Sequence, residues 1–122
     1  MNQEIKKSWV EALRSGRYVQ IKKNLHTGSG YDVIGVLCDL HAKLTKTDWK
    51  LIDGQNKKAP QDQAYSYLGA SVILPKTVIE WSGLDFMSTT ITNQVGTKIC
   101  LIKANDAGTP FAEMATLIEN YL

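Results

Sequence analysis

The sequence predicts an α+β fold, and the spacing of its apolar residues is the main observation behind that prediction. Apolar residues recur with a helical period over residues 3–15, 32–44 and 110–122, as in helices that pack on a core. Short β-branched and aromatic runs, separated by turn residues, lie between the last two of these segments. We therefore expect about four helices packed on a small antiparallel sheet, in a single compact domain over residues 1–122.

The first third of the chain begins with the amphipathic helix over residues 3–15. Gly16 should end this helix, because glycine readily adopts the left-handed conformation found at helix C-termini. Residues 18–21 follow as a short strand or extended connection, and the glycines of residues 26–30 predict a turn-rich loop. The next helix, over residues 32–44, is apolar enough to be central in the core.

The middle of the chain has the composition of strands. Residues 48–52 read as a strand that ends at Asp53 and Gly54, a pair typical of tight turns. Residues 55–63 are polar and predict a mobile loop, and residues 64–68 have the composition of another strand. This region should therefore supply much of the β part of the fold.

Residues 75–102 contain a short helix and two short segments rich in apolar or β-branched residues. Pro75 should be the first residue of a short helix that continues over residues 76–81, and Gly83 should close it. Residues 88–92 are β-branched and uncharged, which favours an exposed strand or a loop. Residues 98–102 are apolar, and both a strand and a helix are compatible with them.

The C-terminal helix has the clearest start signal. Thr109 is a good N-cap residue and Pro110 a good first helical residue. An apolar stripe follows, which should dock the helix on the core. We expect one core cluster formed by residues that each lie on the apolar stripe of their helix: Trp9, Leu37, Leu40, Phe111 and Ile118.

Composition excludes several classes of protein. The chain is 43% hydrophobic and 21% charged, which is ordinary for a globular protein and unlike a disordered one. No apolar run approaches the roughly 20 residues that span a bilayer, and the N-terminus has no apolar stretch like that of a signal peptide. These features predict a soluble intracellular protein with no membrane partner.

The cysteines and histidines predict no metal site, and we expect no cofactor. Cys38 and Cys100 are far apart and lie within apolar runs, where a free cysteine behaves as a small hydrophobic residue. His26 and His41 have no cluster of ligand partners in the sequence.

The N-terminal part of the chain is basic. Residues 1–26 contain six lysines and arginines but only two acids, which favours attraction of phosphate groups or an acidic partner. The same charges also fit a solvated helix face. They are too few to give a strong nucleic-acid-binding signal.

Four ordered sequence blocks resemble a family of small uncharacterised proteins common in bacteriophage and prophage genomes. The blocks cover nearly the full chain and read WVEALRSGxYxQ from residue 9, GVLCDL from residue 35, LPxxVxxWxGL from residue 74 and NDxGxxF from residue 105, followed by Ile118-Glu119. Many members show two cysteines where this chain has Asp32 and Val33, so that thiol pair is missing here. The resemblance implies a phage accessory protein that acts in the cytoplasm of a host bacterium.

The candidate ligand-binding residues are basic, aromatic or part of a predicted polar turn. Basic side chains would attract an anion, aromatic rings would supply apolar contact, and a turn at Asn105–Gly108 would orient the ligand beside the last helix. Turn formation alone also explains those turn residues, and core packing explains many aromatics, including Tyr65, Tyr67 and Phe86. The predicted site residues are Arg17, Lys22, Lys23, Tyr31, Trp81, Asn105 and Asp106.

An enzymatic site has weaker support. Asp39 lies in an apolar helix and could be a buried acid with a raised pKa, although solvent exposure or capping of a neighbouring turn is the commoner role. His41 and Asp106 are the other candidates. No spacing of nucleophile, base and acid typical of known catalytic sets is present, and no catalytic residue is assigned.

Three functional hypotheses follow. The first is a non-enzymatic phage accessory protein that inhibits host antiviral defence by sequestering a nucleotide immune signal or a host defence protein. The second is a structural or regulatory phage protein that acts through its surface. The third is a small nucleotide hydrolase.

We predict a homo-oligomer, most simply a two-fold dimer. Three tryptophans and five tyrosines are a generous aromatic supply for 122 residues, and small sequestering proteins often build pockets between subunits. Light scattering at tens of micromolar protein should show about twice the 13.6 kDa chain mass. A monomeric mass under those conditions would contradict the prediction.

Overall fold

The computed structural model describes residues 1–85 and 89–122, and it confirms the α+β fold class. These residues form five helices, four of them of seven or more residues, and three separate two-stranded antiparallel sheets. The helices are α1 (Gln3–Arg14), α2 (Val33–Thr45), α3 (Lys76–Ser82), α4 (Leu101–Asp106) and α5 (Phe111–Tyr121). The strands are β1 (His26–Thr27), β2 (Gly30–Tyr31), β3 (Lys50–Leu51), β4 (Tyr65–Ser66), β5 (Thr90–Thr92) and β6 (Lys98–Cys100).

The β part of the fold differs from the single small sheet expected. β1 pairs with β2, β3 with β4, and β5 with β6, and each strand has only two or three residues. An isolated bridge between Thr27 and Ala64 brings the first two pairs together. Residues 55–63 contain a short 3-10 helix, Pro60–Asp62. Phe86 and Ser88, which entered the sequence-based predictions, lie outside the described residues.

α2 is the central helix of the core, as predicted. Nine of its residues are buried, and α1, α3 and α4 all contact it. The indole Nε1 of Trp9 donates a hydrogen bond to the Val33 carbonyl (3.0 Å), which fixes α1 against the start of α2. All five predicted core residues belong to one cluster, in which Leu40 is only partly buried.

The starts of two helices lie one residue later than predicted. Pro75 and Pro110 both have extended backbone (ψ 147° and 154°) and are N-cap residues, not the first helical residues. A proline N-cap has no side-chain acceptor for the free amides of the first turn. For α5, the side-chain Oε1 of Gln20 accepts from the Phe111 amide instead (3.0 Å), so Thr109 is not the cap.

The region before α5 combines the two alternatives left open by the sequence. Residues 98–100 form strand β6, and the chain then enters helix α4 at Leu101. The prediction that a turn begins at Asn105 is therefore wrong, because Asn105 and Asp106 are the last residues of α4. The chain reverses only around Gly108, which has a φ of 101°.

No helix among residues 1–85 and 89–122 is long and apolar enough to cross a membrane.

Truncation of Phe111 should destabilise the protein strongly. Its side chain is 8% exposed and belongs to the core cluster, so Phe111→Ala should cost about 3–5 kcal/mol of unfolding free energy. Chemical denaturation of the variant and the wild type measures this difference. An unchanged denaturation midpoint would show that α5 does not dock on the core through this residue.

Candidate functional site

Five partly buried rings form an aromatic cluster near the β1–β2 and β3–β4 strand pairs. The imidazole of His26 lies between two tyrosine rings, with centroid distances of 3.9 Å to Tyr31 and 4.6 Å to Tyr65. The planes of His26 and Tyr31 are within 3° of parallel. Trp49 meets His26 edge-on at 4.9 Å, and Tyr18 meets Tyr31 edge-on at 5.1 Å. We call these five residues the aromatic cluster.

Strand pairing and one glycine position these rings. His26 and Tyr31 are direct partners in the β1–β2 pair, which explains why their rings stack. A Cβ atom at Gly30 would lie 2.1 Å from the Val19 carbonyl oxygen, so only glycine allows this approach. The approach lets the Tyr31 amide donate to the Val19 carbonyl (2.9 Å), which places Tyr18 beside the cluster.

The tautomer of His26 follows from its hydrogen bond. Its Nδ1 lies 2.7 Å from the Gly30 carbonyl oxygen, which can only accept, so Nδ1 carries the proton. Burial lowers the pKa of His26 below its usual 6.5, against smaller opposing effects of the Gly30 hydrogen bond and the Asp39 charge. The ring is therefore neutral at physiological pH, and its Nε2 is a hydrogen-bond acceptor.

Asp39 is the charged centre next to the aromatic cluster. The Tyr18 hydroxyl donates to its Oδ2 (2.6 Å), the Trp49 indole donates to its Oδ1 (3.1 Å), and Lys43 Nζ lies 3.2 Å from Oδ2. Asp39 is only 6% exposed, so the expectation that it faces solvent or caps a turn is wrong. Burial and the Asp39 contact raise the pKa of Tyr18, which therefore stays protonated and donates.

A second candidate site is a groove of about 590 Å³ lined by three exposed lysines. We call it the lysine groove. Asp62 is the one acid among the residues that line it. The lysines are accompanied by hydroxyl, amide and small apolar side chains, and the full lining is Ile21, Lys22, Thr27, Ser29, Asn56, Lys57, Lys58, Ala59, Gln61 and Asp62.

Two hydrogen bonds and one close backbone approach hold residues 28–29 against residues 60–63 at the lysine groove. The Gly28 amide donates to the Gln63 carbonyl (3.0 Å), and the Ser29 hydroxyl donates to the Gln61 carbonyl (2.8 Å). A Cβ atom at Gly28 would lie 2.1 Å from the Pro60 carbonyl oxygen, so a larger residue would push this wall away. These contacts fix the part of the groove formed by residues 28–29 and 60–63.

The aromatic cluster and the lysine groove lie on opposite faces of the β1–β2 pair. Successive side chains of a strand point to opposite faces. His26 and Tyr31 contribute to the aromatic cluster, whereas Thr27 lines the lysine groove. The two sites therefore share a scaffold and no side chain.

The predicted ligand-binding residues do not all meet. Lys22 lines the lysine groove, while Arg17 and Lys23 are exposed nearby in sequence. Tyr31 belongs to the aromatic cluster. Trp81 lies elsewhere, with its ring 5.0 Å from that of His41 and its side chain in a groove between α1, α2 and α3.

Asn105 has a structural environment. It is fully buried, its Oδ1 accepts from the Val33 amide and from Gln20 Nε2 (both 3.0 Å), and its Nδ2 donates to the Ile21 carbonyl (2.7 Å). Asp106 Oδ1 accepts from the Lys23 amide (2.8 Å). These bonds leave no accessible atom on Asn105 for a ligand, so we leave it out of the site proposed below.

The three enzymatic candidates belong to separate hydrogen-bond networks. Asp39 binds Tyr18 and Trp49, whereas Asp106 binds the Lys23 amide. His41 Nδ1 lies 2.6 Å from the Tyr67 hydroxyl, and burial lowers its pKa. The residues that the structure describes contain no group of three or more side chains that could hold a metal ion.

Sequence reasoning missed several residues of the two sites. Lys57 and Lys58 lie in the polar segment predicted to be a mobile loop, and their charges were not combined with that of Lys22. His26 was considered only as a metal ligand, and Trp49 only as part of a strand. The rings that meet His26 come from separate segments of the chain, so no local pattern could have shown the cluster.

Asp32 is a buried acid at the start of α2. It is the N-cap residue, 1% exposed, and its Oδ1 accepts from the Gly35 amide (2.6 Å). Burial raises its pKa from 3.8 to about 7, the negative charge of Asp106 adds to the effect, and the Gly35 hydrogen bond opposes it. The folded state therefore binds this proton more tightly than the unfolded state does.

A comparison with protein families assigns the chain to one of them. The family model described as a domain of unknown function (DUF8296) matches residues 1–122, so the chain belongs to this family. No curated protein and no solved structure matches the chain significantly.

Asp32→Asn should make the protein more stable at pH 8 and change little at pH 4. In the wild type, stability falls as pH rises from about 4 to about 7, by up to about 1.4 kcal/mol per pH unit, because the folded carboxyl resists ionisation. Asparagine keeps an acceptor for the Gly35 amide and does not ionise. Urea denaturation of both proteins from pH 4 to pH 8 should give diverging stability curves. Parallel curves would contradict the raised pKa.

Proposed function

We propose that this member of the family is a non-enzymatic binding protein that captures a small anionic ligand in the lysine groove. The observation that carries the proposal is the convergence of Lys22, Lys57 and Lys58 on one concave surface with a single acid, Asp62. Converging charges of one sign in a concave surface raise the local concentration of an oppositely charged ligand. Phosphate esters, including nucleotides, have the matching charge.

The lining of the groove supports a ligand that is more than a simple ion. The side-chain amides of Asn56 and Gln61 can donate and accept hydrogen bonds, whereas the Ser29 hydroxyl already donates to the Gln61 carbonyl. A volume of about 590 Å³ is in the range of sites for small organic ligands. A phosphate bound to the lysines would leave room in the groove for an attached organic group.

The wider role that we propose is inhibition of host antiviral defence by a phage accessory protein in the host cytoplasm. This part rests on the resemblance of the four sequence blocks to phage and prophage proteins. A nucleotide immune signal fits the lysine groove by charge, and a host defence protein with an acidic surface is the other ligand of the same hypothesis. A structural or regulatory phage protein is the alternative if no small ligand binds.

A hydrolase is the least supported of the three functions. The lining of the lysine groove includes one carboxylate, Asp62, and no histidine or cysteine. Asp39, His41 and Asp106 take part in separate hydrogen-bond networks. Capture without turnover is therefore the simplest activity for this groove.

The charge of the groove can be reversed without changing the core. Lys57→Glu with Lys58→Glu should weaken binding of adenosine monophosphate by at least about tenfold, because two attractions become repulsions. Binding by the wild type should also weaken as salt rises, since exposed charges are screened. Isothermal titration calorimetry measures both effects, and chromatography of the nucleotide afterwards tests for turnover.

The matched control reverses two exposed lysines away from the groove. Lys7→Glu with Lys76→Glu changes the net charge equally, on α1 and α3. Equal losses in the two double variants would mean that net charge and not the groove attracts the ligand. Conversion of the nucleotide would favour the hydrolase, and no binding by the wild type would favour the structural role.

A further inference from the structure

The positive charge of the lysine groove is not neutralised by ion pairs within the protein. Among residues 1–85 and 89–122, the acids that pair with a lysine or arginine are Asp39, Glu80 and Glu119, and none of them lines the groove. Asp62 does line the groove but forms no such pair. Three lysines and one acid therefore leave the described lining with a net charge of +2.

Neutral hydrogen-bond donors at residues 28–29 are already used within the fold. The Gly28 amide donates to the Gln63 carbonyl (3.0 Å). The Ser29 amide donates to Thr27 Oγ1 (3.2 Å), and the Ser29 hydroxyl donates to the Gln61 carbonyl (2.8 Å). These groups therefore do not form a cage around phosphate oxygens, as backbone amides do in phosphate-binding loops. A phosphate in this groove is held mainly by ammonium groups.

Recognition by ammonium groups makes affinity depend on the charge of the ligand. A lysine attracts a phosphate as a compact charge, without the fixed donor geometry of an arginine. A phosphate monoester carries about two negative charges at neutral pH, because its second pKa is about 6, whereas a diester carries one. A monoester and a diester of similar shape thus differ by one charge, and that charge faces a net charge of +2 in the groove.

We propose that the lysine groove selects organic phosphate monoesters over phosphodiesters. This inference rests on the function proposed above and names the class of ligand that the groove takes. The doubly charged phosphate balances the net charge of the groove, whereas a diester leaves one positive charge unbalanced. The attached organic group occupies the rest of the volume of about 590 Å³.

Adenosine monophosphate and its methyl diester test this selection directly, because they differ by one charge and one methyl group. Isothermal titration calorimetry at low salt and about pH 7.5 should give at least about tenfold higher affinity for the monophosphate. Inorganic phosphate should bind at least about tenfold more weakly than the monophosphate, because it lacks the organic group. Equal affinities for the monophosphate and its methyl diester would overturn the selection. Equal affinity for inorganic phosphate would overturn the requirement for an ester.

A pH series separates the charge of the ligand from its shape. The monophosphate loses its second charge as pH falls through about 6, so its affinity should fall about fivefold between about pH 7.5 and about pH 5. The methyl diester keeps one charge over this range and should bind equally well throughout. The diester also reports any titration of the charged groups that line the groove, since it binds the same surface. A parallel fall in affinity for both ligands would overturn the proposal.

Two single substitutions should move the ratio of the two affinities in opposite directions. Lys57→Gln removes a positive charge and should lower the preference for the monophosphate about threefold. Asp62→Asn removes the one acid of the described lining and should raise it about threefold. Glu11→Gln is the matched control, because Glu11 is an exposed acid on α1 and does not line the groove. A disturbed fold would not raise the preference, so an unchanged ratio in both groove variants would contradict the proposal.

The outcomes also distinguish this inference from the function on which it rests. Failure of the wild type to bind either adenosine ligand would remove the capture function and the inference together. Saturable binding of both ligands with equal affinity would leave anion capture intact and overturn only the selection of a monoester. An equal rise of the ratio in Asp62→Asn and Glu11→Gln would show that the net charge of the protein, and not the groove, sets the preference.

Discussion

The amide pair formed by the buried Asn105 and the partly buried Gln20 is the interaction on which the rest of the structure depends. Asn105 binds the Val33 amide at the start of α2, the Ile21 carbonyl, and Gln20 Nε2. Gln20 in turn accepts from the Phe111 amide at the start of α5 and donates to the Thr109 carbonyl. Two side chains thus join the starts of two core helices, and a buried amide left without partners costs free energy. Polar groups, not apolar packing alone, fix how these helices meet.

The segment held by this pair contributes to both the aromatic cluster and the lysine groove. Gln20 forms a parallel bridge with Tyr31, so the segment held by Asn105 also places the aromatic cluster. Two residues later in the same segment, Lys22 lines the lysine groove. A substitution at Asn105 would therefore disturb both sites through the fold, although Asn105 offers no accessible atom to a ligand. A loss of binding in such a variant would be uninformative about direct contact.

Local signals in the sequence were sufficient for much of the fold and for little of the sites. The apolar period fixed α1, α2 and α5 to within about two residues, because burial of one helix face repeats with the turn of the helix. The sequence could not show that Gln20, 91 residues away, caps α5, or that Lys22 approaches Lys57. Such contacts depend on chain reversals that leave no periodic pattern. Asn105 was predicted to orient a ligand from a turn, whereas in the structure it is buried near the end of α4 and binds groups of the fold.

The β1–β2 pair shows how a very short strand pair can present two unlike surfaces. Two glycines permit close backbone contact on either side: Gly30 against the Val19 carbonyl, and Gly28 against the Pro60 carbonyl. The first contact places Tyr18 beside Tyr31, and the second holds Gly28 against the start of the 3-10 helix, which follows Lys57 and Lys58 in the chain. Because side chains alternate along a strand, a substitution at Thr27 faces the groove and one at His26 faces the rings. The chemistry of either face can therefore change while the other face and the core keep their contacts.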